Sequence, residues 1–267
     1  SDSTAPPTTS TSIGTPAGTG RPLVFGAEDV RVRGTDAEIG STRPTVEYRC
    51  DGTDFTIEAD VVAGADGSHG VCRQLLDPAE VRVHQRSHPV AWLGIMARTS
   101  PVTEEGMYCA HPDGLSVHSM RGPDLTRQYL QVPADTDLAD WSDDRIWSEL
   151  RRRSASDDHP ELETGEIIER SLAPLRSVVT EPMQRGALFL LGDAGHIVPP
   201  TGAKGLNLAM SDACVLSHAL GRYHLYGDRT ALEGYTATAL PRIWQAQVFS
   251  WDLTTTLHRL SDDAFDW

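Results

Sequence analysis

The chain has 267 residues, 39% of them hydrophobic and 23% charged, which is enough apolar material for at least one full-sized core. Its 23 Lys and Arg face 38 Asp and Glu, a formal net charge of −15. That is the wrong sign for releasing counter-ions from nucleic acid or for settling on an anionic membrane. Apolar runs such as 187–191 fall far short of the roughly 20 residues that span a bilayer, and residues 1–20 have neither the basic start nor the apolar stretch of a signal peptide. The expectation is a cytoplasmic protein without nucleic-acid or membrane partners. Cys50, Cys72, Cys109 and Cys214 are unevenly spaced and form no CxxC, which argues against a zinc knuckle or a disulfide framework and for buried free thiols.

Residues 1–21 are dominated by Ser, Thr, Pro, Gly and Ala and cannot bury enough surface to offset the entropy of ordering, so this segment is expected to be disordered. Short alternating runs at 23–25, 30–32, 46–49 and 55–63 then read as strands, with Asp51-Gly52 marking a turn. Further strands are expected at 81–83, 91–97, 115–120 and 127–132, giving a mostly antiparallel sheet. A helix is predicted over 142–153, where Ile146, Trp147 and Leu150 fall at helical spacing behind Asp143 and Asp144. After an apolar strand at 187–191 and a loop rich in Gly and Pro, a long helix starts near Leu206. Its apolar positions are Leu206, Ala209, Met210, Ala213, Leu216 and Leu220. Residues 232–260 read as one or two more helices.

Two junctions carry the chemistry. In 60–73, DVVAGADGSHGVCR, an apolar strand delivers Asp66 to an edge, and Gly67 and Gly70 leave room for a ligand to approach the backbone. In 188–207, LFLLGDAGHIVPPTGAKGLN, a carboxylate at a strand end can accept hydrogen bonds from ribityl or ribose hydroxyls, and the loop runs into a helix N-terminus suited to an anion or an anionic ring edge. His84 and His88 have the i, i+4 spacing of a zinc pair but lack the metalloprotease Glu between them, so solvated histidines are the preferred reading and no metal site is expected.

Taken together, DVVAGADGSHGVCR and LFLLGDAGHIVPPTGAKGLNLAMSDA, followed by PRIWQAQVFSW and LHRL, resemble the flavin-dependent aromatic hydroxylases from about Pro22 to Phe265. The resemblance implies an α/β fold with α+β character: part of a FAD-binding domain joined to a mostly antiparallel substrate-binding sheet. Residues 22–80 would belong to the FAD-binding domain, 81–175 to the substrate sheet, 176–225 to the FAD loop and helix, and 226–267 to a C-terminal helical segment. It implies FAD as cofactor, NADPH and O₂ as co-substrates, and a small aromatic acid as substrate, and it allows a homodimer.

Carried over by position, Tyr108 matches the tyrosine that binds the substrate phenol, and Pro200 a backbone carbonyl facing that hydroxyl. Ser119, Arg121 and Tyr129 match the groups holding the substrate carboxylate, a role to which Arg121 brings a planar fork. Asp66, Asp193, Gly202, Lys204, Gly205, Leu206 and Asn207 match positions lining FAD, and Arg127 one that supports flavin placement. His69, Arg73 and Arg176 match residues that handle NADPH. The reaction implied is hydroxylation of 4-hydroxybenzoate to 3,4-dihydroxybenzoate, with a related aromatic acid as another option.

The family's N-terminal GxGxxG has no counterpart here. Gly14, Gly18 and Gly20 lie in the Ser/Thr/Pro segment, and no residue matches a second tyrosine from the family's C-terminal region. A partial chain is therefore expected. The alternative is a non-catalytic remnant or aromatic-acid-binding fragment that does not hold FAD by itself.

Overall fold

The structure is a computed structural model that describes residues 13–14, 23–158 and 161–261. In chain order the strands are β1 (Ile13–Gly14), β2 (Leu23–Val24), β3 (Glu28–Arg33), β4 (Thr45–Cys50), β5 (Thr53–Glu58), β6 (Val62–Gly64), β7 (Arg82–Ala97), β8 (Met107–Cys109), β9 (Ser116–Gly122), β10 (Leu125–Pro133), β11 (Ile167–Glu181), β12 (Gln184–Arg185), β13 (Leu188–Leu190) and β14 (His196–Ile197). The helices are α1 (Asp143–Ser154), α2 (Gly205–Tyr226), α3 (Thr230–Glu233) and α4 (Tyr235–Leu257). Two compact units result, one made of residues 1–82 and 181–195, the other of 83–180 and 196–267.

In the first unit β1 pairs with β2, so Ile13–Gly14 is strand; the rest of the segment expected to be disordered lies outside the described residues. Strands β3, β4 and β5 form an antiparallel meander whose second turn is Asp51-Gly52. Both turn residues have positive φ, 49° and 75°, the backbone that a two-residue hairpin loop needs and that an Asp-Gly pair supplies. The continuous strand expected over 55–63 is interrupted. β5 stays in the meander, whereas β6 joins β13 in parallel and β12 in a separate sheet. Val62, Cys72, Leu76, Leu188 and Leu190 pack beneath it.

The second unit is built on a six-stranded sheet in the order β14-β11-β7-β10-β9-β8. The runs expected at 81–83 and 91–97 are parts of one 16-residue strand, β7. β11, 15 residues long, corresponds to no expected strand, because Pro174 and a charged first half mask its alternation. One face of the sheet presents Leu93, Ile95, Leu130 and Val132 to Trp141, Ile146, Trp147 and Leu150 on and beside α1. Each of the fully buried aliphatic side chains contributes about 1.5–3 kcal/mol relative to exposure. Helix α1 starts where expected, with the Ser142 hydroxyl accepting the Arg145 N–H and Asp143 and Asp144 in its first turn.

The opposite face carries Val90, Trp92, Val117 and Leu175, covered by Leu257 and Leu260 from the end of α4 and the residues after it. Helix α2 corrects the expected stripe. Its buried positions are Leu208, Asp212, Leu216 and Ala219, while Leu206 and Met210 are 74% and 60% exposed and Ala213 is exposed. The helix is rotated so that Asp212 reaches a buried histidine. The thiols also differ from expectation. Cys50 and Cys72 are buried, but Cys109 is only half-buried and Cys214 sits on the open side of α2. His88 is not solvated either, because β7 carries it inward, where it stacks on Trp251 with ring centroids 4.0 Å apart.

Candidate active site

Strand pairing brings the residues expected to hold an aromatic acid onto one sheet face. Directly opposed residues of antiparallel strands share a face. Tyr108 on β8 opposes Val117 on β9, Val117 opposes Tyr129 on β10, and Tyr129 opposes Gly94 on β7. The adjacent row runs Ser119, Arg127, Met96. Tyr108 is 48% exposed and Tyr129 half-buried, so the row runs from open to covered. Arg121 lies two residues beyond Ser119 on β9, exposed and without an ion pair among the described residues. It is thus available as a fork for an anionic ligand.

Ser119 and Arg127 are already engaged. The Ser119 hydroxyl donates to the Arg127 carbonyl at 3.1 Å, so its proton must rotate before it can serve a ligand. The Arg127 guanidinium donates to Glu169 at 2.7 Å and to the Ser171 hydroxyl at 2.9 Å, and lies 5.3 Å from the Tyr129 ring centroid. Burial opposes its charge, but Glu169 and the Tyr129 hydroxyl outweigh that, and its pKa rises. The glycine opposite Tyr129 is sterically required. A Cβ at Gly94 would stand 2.9 Å from Tyr129 Cε1.

In the same unit the loop after β14 leads into α2. Pro200 is exposed, Ala203 adopts a left-handed backbone with φ 50°, and α2 starts without a side-chain cap. Leu206 and Asn207 are exposed in its first turn, whose N–H groups have no partner within the helix. Lys204 Nζ sits 5.1 Å over the Phe249 ring. Gly202 packs against α4, where a Cβ would come within 2.6 Å of Ser250 Oγ, and Thr254 Oγ1 donates to Thr201 Oγ1 at 3.0 Å.

The residues of the other unit are arranged around Arg73. Its guanidinium donates to the carbonyl of Ala194 at 2.7 Å and to that of Asp193, tying the turn that bears Asp193 to the Asp66 loop. Asp66 accepts the Cys72 N–H at 2.8 Å. Gly70 does not open space for a ligand, as its spacing suggested. A Cβ there would fall 2.0 Å from Asp66 Cγ, so the position is occupied by the loop's own carboxylate. His69 is exposed, and Arg176, in the second unit, is half-buried on β11.

The family pattern of FAD binding domains matches residues 21–250. The chain belongs to that family. Among its relatives, the p-hydroxybenzoate hydroxylase of Acinetobacter baylyi is 44% identical over 221 residues, 83% of this chain and 55% of the relative. A kynurenine 3-monooxygenase of Salinispora arenicola is 28% identical over 228 residues, 77% and 47% of the two chains. The chain thus spans about half the length of these curated relatives. The fold is shared with p-nitrophenol 4-monooxygenase from Pseudomonas putida (TM-score 0.71, 17% identity, 90% of this chain and 58% of that one). It is also shared with aklavinone-11 hydroxylase in a complex with FAD and aklavinone (TM-score 0.72, 18% identity, 87% and 43%).

Within this FAD-binding family member, several site-supporting residues escaped the sequence reading. Asp212, fully buried, pairs with His196 Nε2 at 2.6 Å and lies 3.6 Å from Arg242, pinning the start of the 196–204 loop to α2 and α4. A carboxylate in an otherwise apolar run of α2 was the available signal. Glu169, Gly94 and Trp92 carried none, since only strand register places them. No helix among the described residues is long and apolar enough to cross a membrane.

Proposed function

We propose that this chain is the substrate-binding and flavin-facing part of an FAD-dependent monooxygenase that converts 4-hydroxybenzoate to 3,4-dihydroxybenzoate with NADPH and O₂. The observation that carries the reading is the shared face of Tyr108, Tyr129, Ser119 and Arg127, with Arg121 exposed beside it. Such a face takes a ring with a phenol at one end and a carboxylate at the other. Arg121, helped by the Ser119 and Tyr129 hydroxyls, holds the carboxylate. Tyr108 and the Pro200 carbonyl hold the phenol and draw on its proton, which makes the ring more nucleophilic.

The residues present fit the ring and ribityl end of a flavin. The first turn of α2, beginning at Gly205, is uncapped and open at Leu206 and Asn207, while Gly202 packs closely against α4 and Lys204 lies over the Phe249 ring. Taken by itself, the first unit has Asp66 and Asp193 as exposed carboxylates able to accept from hydroxyl groups, and within the second unit Arg127 supports the clamp through its contact with Tyr129. Bound FAD supplies the activation of O₂; the protein's part is to orient the ring, stabilise negative charge with the α2 N-terminus and keep water out. His69 and Arg73 in the first unit and Arg176 in the second remain the residues proposed to handle NADPH, with Arg73 also tying the Asp193 turn to the Asp66 loop.

A second reading, an aromatic-acid-binding chain that does not hold FAD, is favoured by the whole carboxylate clamp lying in one unit. Titrating the purified chain with FAD, with and without 4-hydroxybenzoate, tests both by visible absorption. Stoichiometric binding with a substrate-dependent spectral change supports the monooxygenase reading. A folded chain that binds 4-hydroxybenzoate but leaves flavin free supports the second.

A further inference from the structure

Behind Tyr129 lies a buried side-chain relay that neither the family match nor the clamp residues account for. Trp92, on the same sheet face two residues from Gly94, packs against the Tyr129 ring with centroids 4.8 Å apart. Its indole Nε1–H donates to His258 Nε2 at 2.6 Å, with the two rings 22° from coplanar. The other ring nitrogen of His258 lies 2.9 Å from the Thr254 carbonyl, and the side chain is 2% exposed. An indole N–H only donates and a carbonyl oxygen only accepts, so the partners fix the tautomer. His258 carries its proton on Nδ1 and offers a lone pair at Nε2.

The backbone that presents His258 is itself held to the substrate sheet. Gln131, which opposes Trp92 on β10, donates to the Arg259 carbonyl at 2.5 Å and accepts the Arg259 N–H at 3.2 Å and the Leu115 N–H at 3.0 Å. Trp92 is therefore braced by the end of α4 rather than by its own strand alone. Tyr129 is confined between that indole, the bare backbone of Gly94 and the Arg127 guanidinium.

We infer that His258 is a positioning residue for the carboxylate clamp, acting through the Trp92 indole to hold the Tyr129 ring where its hydroxyl meets the acid group of the substrate. The inference rests on the clamp reading of Tyr129 given above. It separates His258 from ordinary core packing by one requirement, a side chain that accepts from Trp92 and donates to Thr254 at the same time. Glutamine meets that requirement with its carbonyl and amide, whereas leucine fills the volume without either.

The test compares the full chain with its His258→Gln, His258→Leu and Tyr129→Phe variants and the His258→Leu/Tyr129→Phe double variant. Two readouts are used. Without ligand, NMR of the indole N–H, assigned through Trp92→Phe, and of the Tyr129 ring protons reports the relay. In His258→Leu both are expected to shift, and in His258→Gln to stay near their wild-type positions. With 4-hydroxybenzoate, His258→Leu is expected to weaken binding about tenfold and His258→Gln no more than about twofold. The double variant should bind no worse than Tyr129→Phe, because the two residues act through one contact.

Unmoved Tyr129 resonances in His258→Leu, or losses that add in the double variant, would overturn the inference while leaving the clamp reading standing. If the NMR coupling holds but the wild-type chain does not bind 4-hydroxybenzoate, the clamp reading fails and takes the role assigned to His258 with it.

Discussion

Replacing Gly202 by Ala tests how tightly the loop ahead of α2 is keyed to α4. The new Cβ would stand 2.6 Å from Ser250 Oγ and 3.1 Å from the edge of the Phe249 ring, both closer than carbon normally approaches. The backbone at Gly202 is not left-handed, so the cost is overpacking rather than strain in φ, about 1–3 kcal/mol. For a domain of this size that lowers Tm by roughly 2–10 °C. The structure also specifies a rescue. The Ser250 hydroxyl is buried without a hydrogen-bond partner among the described residues, so Ser250→Ala removes the nearest clashing atom and costs little or nothing by itself. In the double variant most of the lost stability should return, leaving only the contact with Phe249, a ring 46% exposed and able to shift. Thermal denaturation of the wild type, both single variants and the double variant gives the cycle directly. An unchanged Tm in Gly202→Ala, or a double variant no better than it, would refute the packing argument.

Other consequences can be checked in the same preparations. Burial, with a smaller contribution from His88, lowers the His258 pKa to about 4, below the ordinary value of 6.5 that it regains on unfolding. The unfolded chain therefore binds more protons between these values. Stability is full above about pH 6.5 and falls towards pH 4 by on the order of 3 kcal/mol. His88, lowered by burial and then by Arg86, acts in the same direction. Urea titrations across that range should show the slope, and His258→Gln should flatten it. Gly94→Ala should displace the Tyr129 ring and weaken 4-hydroxybenzoate binding about tenfold or more with the fold retained, as read by equilibrium dialysis and circular dichroism. Alkylation of the native chain should label the exposed Cys214 first. Cys72, whose thiol is pushed up to about 12 by burial and by Asp66, should react only on unfolding.

Local signals were legible wherever a short segment decides its own conformation. The Asp51-Gly52 turn and the Ser142 cap with its acidic first turn follow from side chains within one turn of the backbone they govern. The two junctions around Asp66 and Asp193 were legible as loops for the same reason. What they hold was not. Gly70 looked like room for a ligand until the fold turned the Asp66 carboxylate into that space, and no local signal shows that Arg73 reaches the carbonyls of Asp193 and Ala194, 120 residues or more along the chain.

By itself, the sequence determined the residue types, the periodicities and the family to which 21–250 belongs, because these depend on chemistry and spacing along the chain. Tertiary structure alone decided which of those residues meet. The register of β7, β8, β9 and β10 sets Tyr108, Tyr129, Ser119 and Arg127 on one face and Trp92 against His258, 166 positions away. It also turned α2 to bury Asp212 on His196 rather than Leu206 and Met210 in a core. The physical reason is that a strand's two faces are equivalent in its own sequence and become distinct only when partners from distant segments cover one of them.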